Sequence, residues 1–272
     1  MRIGSLRLIG AALLAATFAF PAAAKQCGND ASGFNAWLAE FRKEALGNGI
    51  KQATLDEALR GISYARKTIS LDRNQKSFKL TFEQFMERRG AATIVDQGRK
   101  HKSANASLFR QIESRYGVPA GPVIAIWGME TAFGRFQGDQ DAFAALATLA
   151  YDCRRSAFFE EQLYGALRIL QTGQLTRAEM KGAGHGEIGQ AQFLPSNYLR
   201  YGVDGDGDGR VDMIVSRADA LASIANYLKA FGWKAGAGYQ PGEPNFAAIQ
   251  EWNKAGVYQR AIAAIGRQID GN

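Results

Sequence analysis

Apolar residues recur at intervals of three and four through most of the chain. Phe34, Trp37, Leu38 and Phe41 form one stripe, Leu108, Ile112 and Tyr116 a second that stops at Gly117-Val118-Pro119, and Phe159, Leu163, Leu167 and Leu170 a third that runs up to Gly173. This spacing gives a helix one continuous apolar face and would scatter the same residues over both faces of a strand. Strict alternation is scarce. Thr54 with Glu57, and Ser216 with Asp219, read as helix starts: a capping hydroxyl accepts from free backbone N–H groups and an acid suits the first turn. The expected fold class is mainly α. No internal repeat, low-complexity linker or long charge block divides the chain, although a boundary near 100–115 would separate an N-terminal helical part from the rest.

The first residues follow another pattern. Arg2 and Arg7 precede an apolar run from Leu8 to Phe20, and Ala22-Ala23-Ala24 supplies small residues for cleavage, so residues 1–24 read as a secretory signal peptide and 25–272 as the mature domain. The run is short for a membrane span, and Lys25 and Gln26 intervene before Cys27, which argues against a lipid-anchored cysteine. The expectation is a soluble, monomeric protein of the bacterial periplasm. There, the two cysteines of the chain, Cys27 and Cys153, are expected to form a disulfide. Two histidines are too few for a zinc cluster. The formal charge of +7 includes Arg2 and Arg7, so the mature chain carries +5 and suits an anionic partner, with export favouring a cell-wall polymer over nucleic acid. About 250 mature residues can bury a sizeable core.

Candidate chemistry begins with Val123-Ile124-Ala125-Ile126-Trp127-Gly128-Met129-Glu130, an apolar helix that ends in one acid. Burial and the negative end of the helix dipole both disfavour the charged carboxylate and would keep a proton on Glu130 for general-acid work. Pairing with nearby Arg135 would do the opposite, and the sequence leaves both readings open. A second segment, Gly189-Gln190-Ala191-Gln192-Phe193-Leu194-Pro195-Ser196-Asn197-Tyr198, is rich in turn formers and in polar and aromatic groups suited to a sugar.

Three ordered motifs carry a resemblance: Glu130 in G-M-E-T-x-x-G, the segment around Gln192, and Ala225-Asn226-Tyr227-Leu228. Together they resemble the family of membrane-bound lytic murein transglycosylase B, glycoside hydrolase family 103, over roughly residues 30 to 270. The resemblance implies a lysozyme-like helical core and non-hydrolytic cleavage of the β-1,4 bond between N-acetylmuramic acid and N-acetylglucosamine in peptidoglycan. Glu130 would be the single acid and base, and the product a 1,6-anhydromuramyl end. It also implies that Gln192, Phe193, Tyr227, Asn253 and Tyr258 line the sugar site, with core aromatics as the lesser reading of Tyr227 and Tyr258 and a turn former as that of Asn253.

The chain departs from the family at Ala183-Gly184-His185-Gly186-Glu187-Ile188, where a serine followed by small residues is usual. Glu187 opens an alternative, a lysozyme-like hydrolysis in which it would be the base, a role that calls for two carboxylates about 6.5–9.5 Å apart; an exposed loop acid, or one paired with His185, is the plainer reading. A non-catalytic peptidoglycan-binding scaffold is the rival from outside enzymology.

Asp204-Gly205-Asp206-Gly207-Asp208-Gly209-Arg210-Val211-Asp212 matches the first half of an EF-hand-like loop, with Asp204, Asp206, Asp208 and the Arg210 carbonyl as expected ligands. The closing position is Val215, which has no oxygen to offer from its side chain. Asp219, in the next helix, is the expected substitute, a displacement the family resemblance supports. Ca2+ fits such oxygen donors better than Mg2+, and its expected role is structural.

Overall fold

The computed structural model describes residues 25–74 and 80–271, so the signal-peptide reading of residues 1–24 lies outside the described residues. In chain order come α1 (Phe34–Gly47), α2 (Gln52–Ala58), α3 (Arg66–Arg73), α4 (Phe82–Arg88), α5 (Ala91–Ala104), α6 (Ala106–Tyr116) and α7 (Ala120–Thr131). There follow β1 (Gln140–Asp141), α8 (Ala142–Tyr151), α9 (Ser156–Gln171), β2 (Lys181–Gly182), α10 (Pro195–Tyr201), α11 (Arg217–Ala230), α12 (Phe246–Trp252) and α13 (Gly256–Asp270). The three apolar stripes become α1, α6 and α9, and Gly117 ends α6 in the left-handed conformation. No described helix is long and apolar enough to cross a membrane.

The central helix is α7. It is apolar on every side, with all residues from Val123 to Trp127 buried, as expected of a helix enclosed by others. Helices α5, α6, α11 and α13 pack around it. Its closest neighbour is α13, admitted by Gly121: a Cβ there would lie 2.3 Å from the carbonyl oxygen of Gly266. Helix α8 is buried in the same way and packs on α9, with α1 and α3 leaning on α8 and α2 on α9. One contiguous apolar cluster runs from Phe34 to Ile269. Around residues 100–115, Asn105 alone separates α5 from α6, and both helices touch α7.

Of the two expected helix starts, one differs. Ser216 caps α11, its hydroxyl accepting from the Asp219 N–H at 3.2 Å. Thr54 lies inside α2, which starts two residues earlier; the Lys51 N–H donates to Gln171 Oε1 at 2.7 Å, and the Thr54 side chain is buried toward the same amide. A long-range partner thus overrides the local capping signal. Cys27 and Cys153 are joined as a disulfide that ties the segment before α1 to the turn after α8.

Candidate active site

Glu130 is the penultimate residue of α7 and is partly buried at the floor of a cleft of about 550 Å³. Its Oε1 accepts two hydrogen bonds, from Tyr258 Oη at 2.7 Å and from Trp252 Nε1 at 3.0 Å. Those donors come from α13 and from the end of α12. Among the described residues, Oε2 takes no hydrogen bond, so it is the oxygen left open to carry or pass a proton. Loss of hydration raises the Glu130 pKa most strongly; the Trp252 and Tyr258 bonds and the Arg89 guanidinium pull it down, Glu187 pushes it up, and the net direction is upward. Tyr258 is pushed well above the ordinary phenol value by burial and by Glu130, so it stays a donor.

Arg135 does not pair with Glu130. Its guanidinium donates to the Ala132 carbonyl at 3.1 Å and to Gln97 at 3.2 Å. The cation that acts on Glu130 is Arg89, which reaches the Met129 carbonyl at 3.4 Å and lies 5.4 Å from the Tyr258 ring centre. The chain reverses directly after α7 through three successive left-handed residues, Ala132, Phe133 and Gly134, with φ of 48°, 65° and 82°. For Ala and Phe this costs about 1–2 kcal/mol each. Thr131 holds the turn, its hydroxyl donating to the Gln190 carbonyl at 2.7 Å and accepting from the Gly134 N–H at 2.9 Å. The Gln190 side chain in turn accepts from Trp127 Nε1 at 3.1 Å and donates to the Ile214 and Val215 carbonyls. Gln190 therefore links the end of α7, the Gln192 segment and the acidic loop.

Gln192, Phe193, Tyr227 and Asn253 all line this cleft with Glu130, whereas Tyr258 meets the site through its bond to Glu130. Gln192 is itself left-handed, with φ of 50°, and its amide nitrogen donates to the Gln137 carbonyl at 3.0 Å and the Gly189 carbonyl at 2.8 Å. Phe193 packs 5.2 Å from the Trp252 ring and 5.8 Å from the Tyr227 ring. The Tyr227 hydroxyl donates to the Glu251 carbonyl at 2.8 Å, and burial raises its pKa. Asn253 Oδ1 accepts from the Ala255 N–H at 2.9 Å in the turn before α13. Sequence reasoning missed Trp252 and Arg89; only the adjacency of Trp252 to Asn253 hinted at the former.

Glu187 lines the same cleft. Its Oε2 accepts from the His185 backbone N–H at 3.0 Å and its Oε1 lies 3.4 Å from His185 Nδ1. A larger cavity of about 740 Å³ involves Lys102, Tyr239 and Asp270, but there the Asp270 carboxylate is committed to Lys102, Tyr239 and the Gly121 N–H. The smaller cleft is the one that holds Glu130 and Glu187.

In the acidic loop, carboxylate oxygens of Asp204, Asp206 and Asp219 lie within 4.8 Å of one another. Asp219 is buried and accepts from the Gly205 N–H at 2.8 Å and the Asp212 N–H at 2.6 Å. It faces the loop rather than returning a bond to its own helix cap. Asp204 accepts from the Gly209 and Gly207 N–H groups, which lower its pKa. Asp208 stands outside the trio, accepting from the Arg210 N–H at 2.8 Å, while the Arg210 side chain donates to the Gln174 carbonyl at 3.0 Å. The Val215 side chain is turned outward, the residue being 75% exposed, while its N–H donates to Asp212 Oδ1 at 3.0 Å.

Residues 33–241 match the transglycosylase SLT domain. The chain belongs to that family. Among its relatives, the membrane-bound lytic murein transglycosylase B of Escherichia coli K12 is 38% identical over 138 residues, 48% of this chain and 38% of that protein. The chain thus spans under two fifths of the length of that curated relative. The structure superposes on SltB3 from Pseudomonas aeruginosa, solved in complex with NAG-anhNAM-pentapeptide, with a TM-score of 0.83 and 30% identity over 89% of this chain and 80% of that one. E. coli lytic transglycosylase Slt35, solved in complex with calcium, shares the fold with a TM-score of 0.75 and 24% identity, over 90% and 96% of the two chains. The family match contains Glu130, Gln192 and Tyr227 and ends before Trp252, Asn253 and Tyr258.

Proposed function

We propose that this protein is a periplasmic lytic transglycosylase that cleaves the β-1,4 bond between N-acetylmuramic acid and N-acetylglucosamine in peptidoglycan. The observation that supports the reading is the placement of Glu130: a carboxyl in a cleft, with one oxygen held by Trp252 and Tyr258, the other without a hydrogen bond among the described residues, and burial pushing its pKa upward. Protonation of the glycosidic oxygen lets the bond to C1 break, with the substrate's own N-acetyl oxygen closing on C1. The resulting Glu130 carboxylate takes the proton of the muramyl C6 hydroxyl, whose oxygen attacks C1 to give a 1,6-anhydro end. One carboxylate serves both steps because acid and base act in succession. Among the relatives, SltB3 was crystallised with NAG-anhNAM-pentapeptide, a ligand that bears such an anhydro sugar.

In this reading Gln192 and Asn253 bind sugar polar groups. Phe193 and Tyr227, packed with Trp252, form the cleft's aromatic wall, and Tyr258 orients Glu130. The partner is the glycan strand. The function of residues 1–24 is export of the mature domain 25–272. The test is digestion of purified sacculi by the wild type beside Glu130→Gln: muropeptides are expected from the first alone, and none from either would leave a non-catalytic binding scaffold. One observation favours hydrolysis as a second reading, the presence of Glu187 in the same cleft.

The acidic loop would hold Ca2+. The oxygens of Asp204, Asp206 and Asp219 within 4.8 Å of one another support the reading, and Asp208 and the Arg210 carbonyl, which stand outside that trio, would have to turn toward the ion to complete its sphere. The ion's role is structural: the loop joins the Gln192 segment to α11, and Gln190 bonds its far end. Ca2+ added to chelator-treated protein at about a hundred times its Kd is expected to stabilise by about 2.7 kcal/mol, raising Tm by about 5–10 °C. An unchanged Tm would contradict the site.

A further inference from the structure

We propose that Glu187 is a second catalytic residue, whose carboxylate accepts a hydrogen bond from the substrate's acetamido N–H and balances the positive charge that develops there. The inference rests on the transglycosylase reading. When the acetamido oxygen closes on C1, the C1–O4 bond breaks, O4 leaves with the proton of Glu130, and the new ring is an oxazolinium cation that retains its N–H. When O6 then attacks C1, the bond from the acetamido oxygen to C1 breaks, the neutral acetamide is restored, and the O6 proton returns to Glu130. The cation between these steps calls for an anion that transfers no proton. Among the described residues, Glu130 and Glu187 are the two carboxylates lining the cleft, and Glu130 is already occupied by both proton transfers.

Glu187 is held for such a task. Its backbone sits in a tight turn, with the Ala183 N–H donating to the Glu187 carbonyl at 3.0 Å. Ile188 bridges to Gly182 on one side and Phe193 on the other. Gly182 lies so close that a Cβ there would fall 1.7 Å from the Glu187 carbonyl oxygen. The side chain is fixed by His185 through its backbone N–H and by the approach of Nδ1, while His185 Nε2 lies 3.6 Å from Asp72 Oδ1. Asp72 is buried and paired with Arg154 and Arg155.

The carboxylate keeps 25% of its side chain exposed, and two contacts leave it unused acceptor directions. Glu187 and Glu130 line one cleft, and the Glu187 charge is among the causes that raise the Glu130 pKa. A preoriented anion of this kind interacts more strongly with the oxazolinium than with the neutral acetamide, so it accelerates the chemical step rather than tightening substrate binding.

Glu187→Gln keeps the shape and removes the charge. It is expected to lower kcat by about 10²- to 10³-fold with KM nearly constant. Tm should be unchanged and the products should still carry anhydro ends. Affinity for an N-acetylglucosamine-derived thiazoline, a stable analogue of the oxazoline ring, should fall with kcat, while affinity for an uncleaved glycan oligomer, measured in a Glu130→Gln background, should not. Unchanged kcat, or a loss of kcat with unchanged thiazoline affinity, would overturn the role of Glu187 while leaving the anhydro chemistry of the wild type intact. Reducing ends from the wild type, lost in Glu187→Gln, would overturn both, because Glu187 would then be a base that activates water.

Discussion

Glu130→Gln is expected to lower the rate of sacculus digestion by about 10³- to 10⁴-fold, because the amide can neither give the proton that frees the leaving oxygen nor take one from the C6 hydroxyl. Binding should survive, since Gln retains the oxygen that Trp252 and Tyr258 hold at 3.0 and 2.7 Å. The same variant reports on the acid's pKa. Burial raises Glu130 above the ordinary value of 4.5, so the native protein binds a proton there that the unfolded chain has released. Its contribution to stability is therefore full below 4.5 and is lost as pH rises through the raised folded value. Glu130→Gln lacks this loss, so its melting temperature relative to the wild type should climb over that window. Wild-type activity should decline on the alkaline side of the same titration. A difference in melting temperature that is flat with pH would mean that folding does not raise the Glu130 pKa.

The second large effect is on stability. The Cys27–Cys153 bond closes a segment with a sequence separation of 126 and fastens the chain ahead of α1 to the turn that follows α8. Around it, the Gly28 N–H donates to the Tyr151 carbonyl at 3.0 Å and the Cys153 N–H to the Gly28 carbonyl at 3.3 Å. A loop this long gives a large gain from restricting the unfolded chain, about 3–5 kcal/mol for a native disulfide. Cys27→Ser with Cys153→Ser should therefore lower Tm by about 10 °C. Addition of reductant to the unfolded wild type should produce the same deficit on refolding, and equal melting curves with and without the bond would show that it stabilises nothing.

What could be read from the sequence was what depends on neighbours in the chain. The run from Val123 to Glu130 announced a buried helix with an acid at its end, because eight residues share one pattern. The Asp204 loop announced itself because its carboxylates occur at every second position, and Asp219 could be named because Val215 left a place without a side-chain oxygen.

The rest depends on contacts across the fold. Trp252 donates to an acid 122 residues earlier, and Arg89 rather than the adjacent Arg135 supplies the nearby positive charge. Thr54 had every local mark of a cap, yet Gln171 decides where α2 starts. The left-handed turn at Ala132 and Phe133 was equally hidden, since neither residue prefers that conformation; only the Thr131 and Gln190 bonds show what holds it.

The central claim is that the muramyl C6 hydroxyl, and not water, completes the reaction, and product mass tests it most directly. Purified protein is incubated with peptidoglycan and the released muropeptides are weighed by mass spectrometry. Glycan ends one water lighter than the reducing form, present from the earliest time point, are the result expected of Glu130 acting alone as acid and base. Reducing ends alone would contradict it.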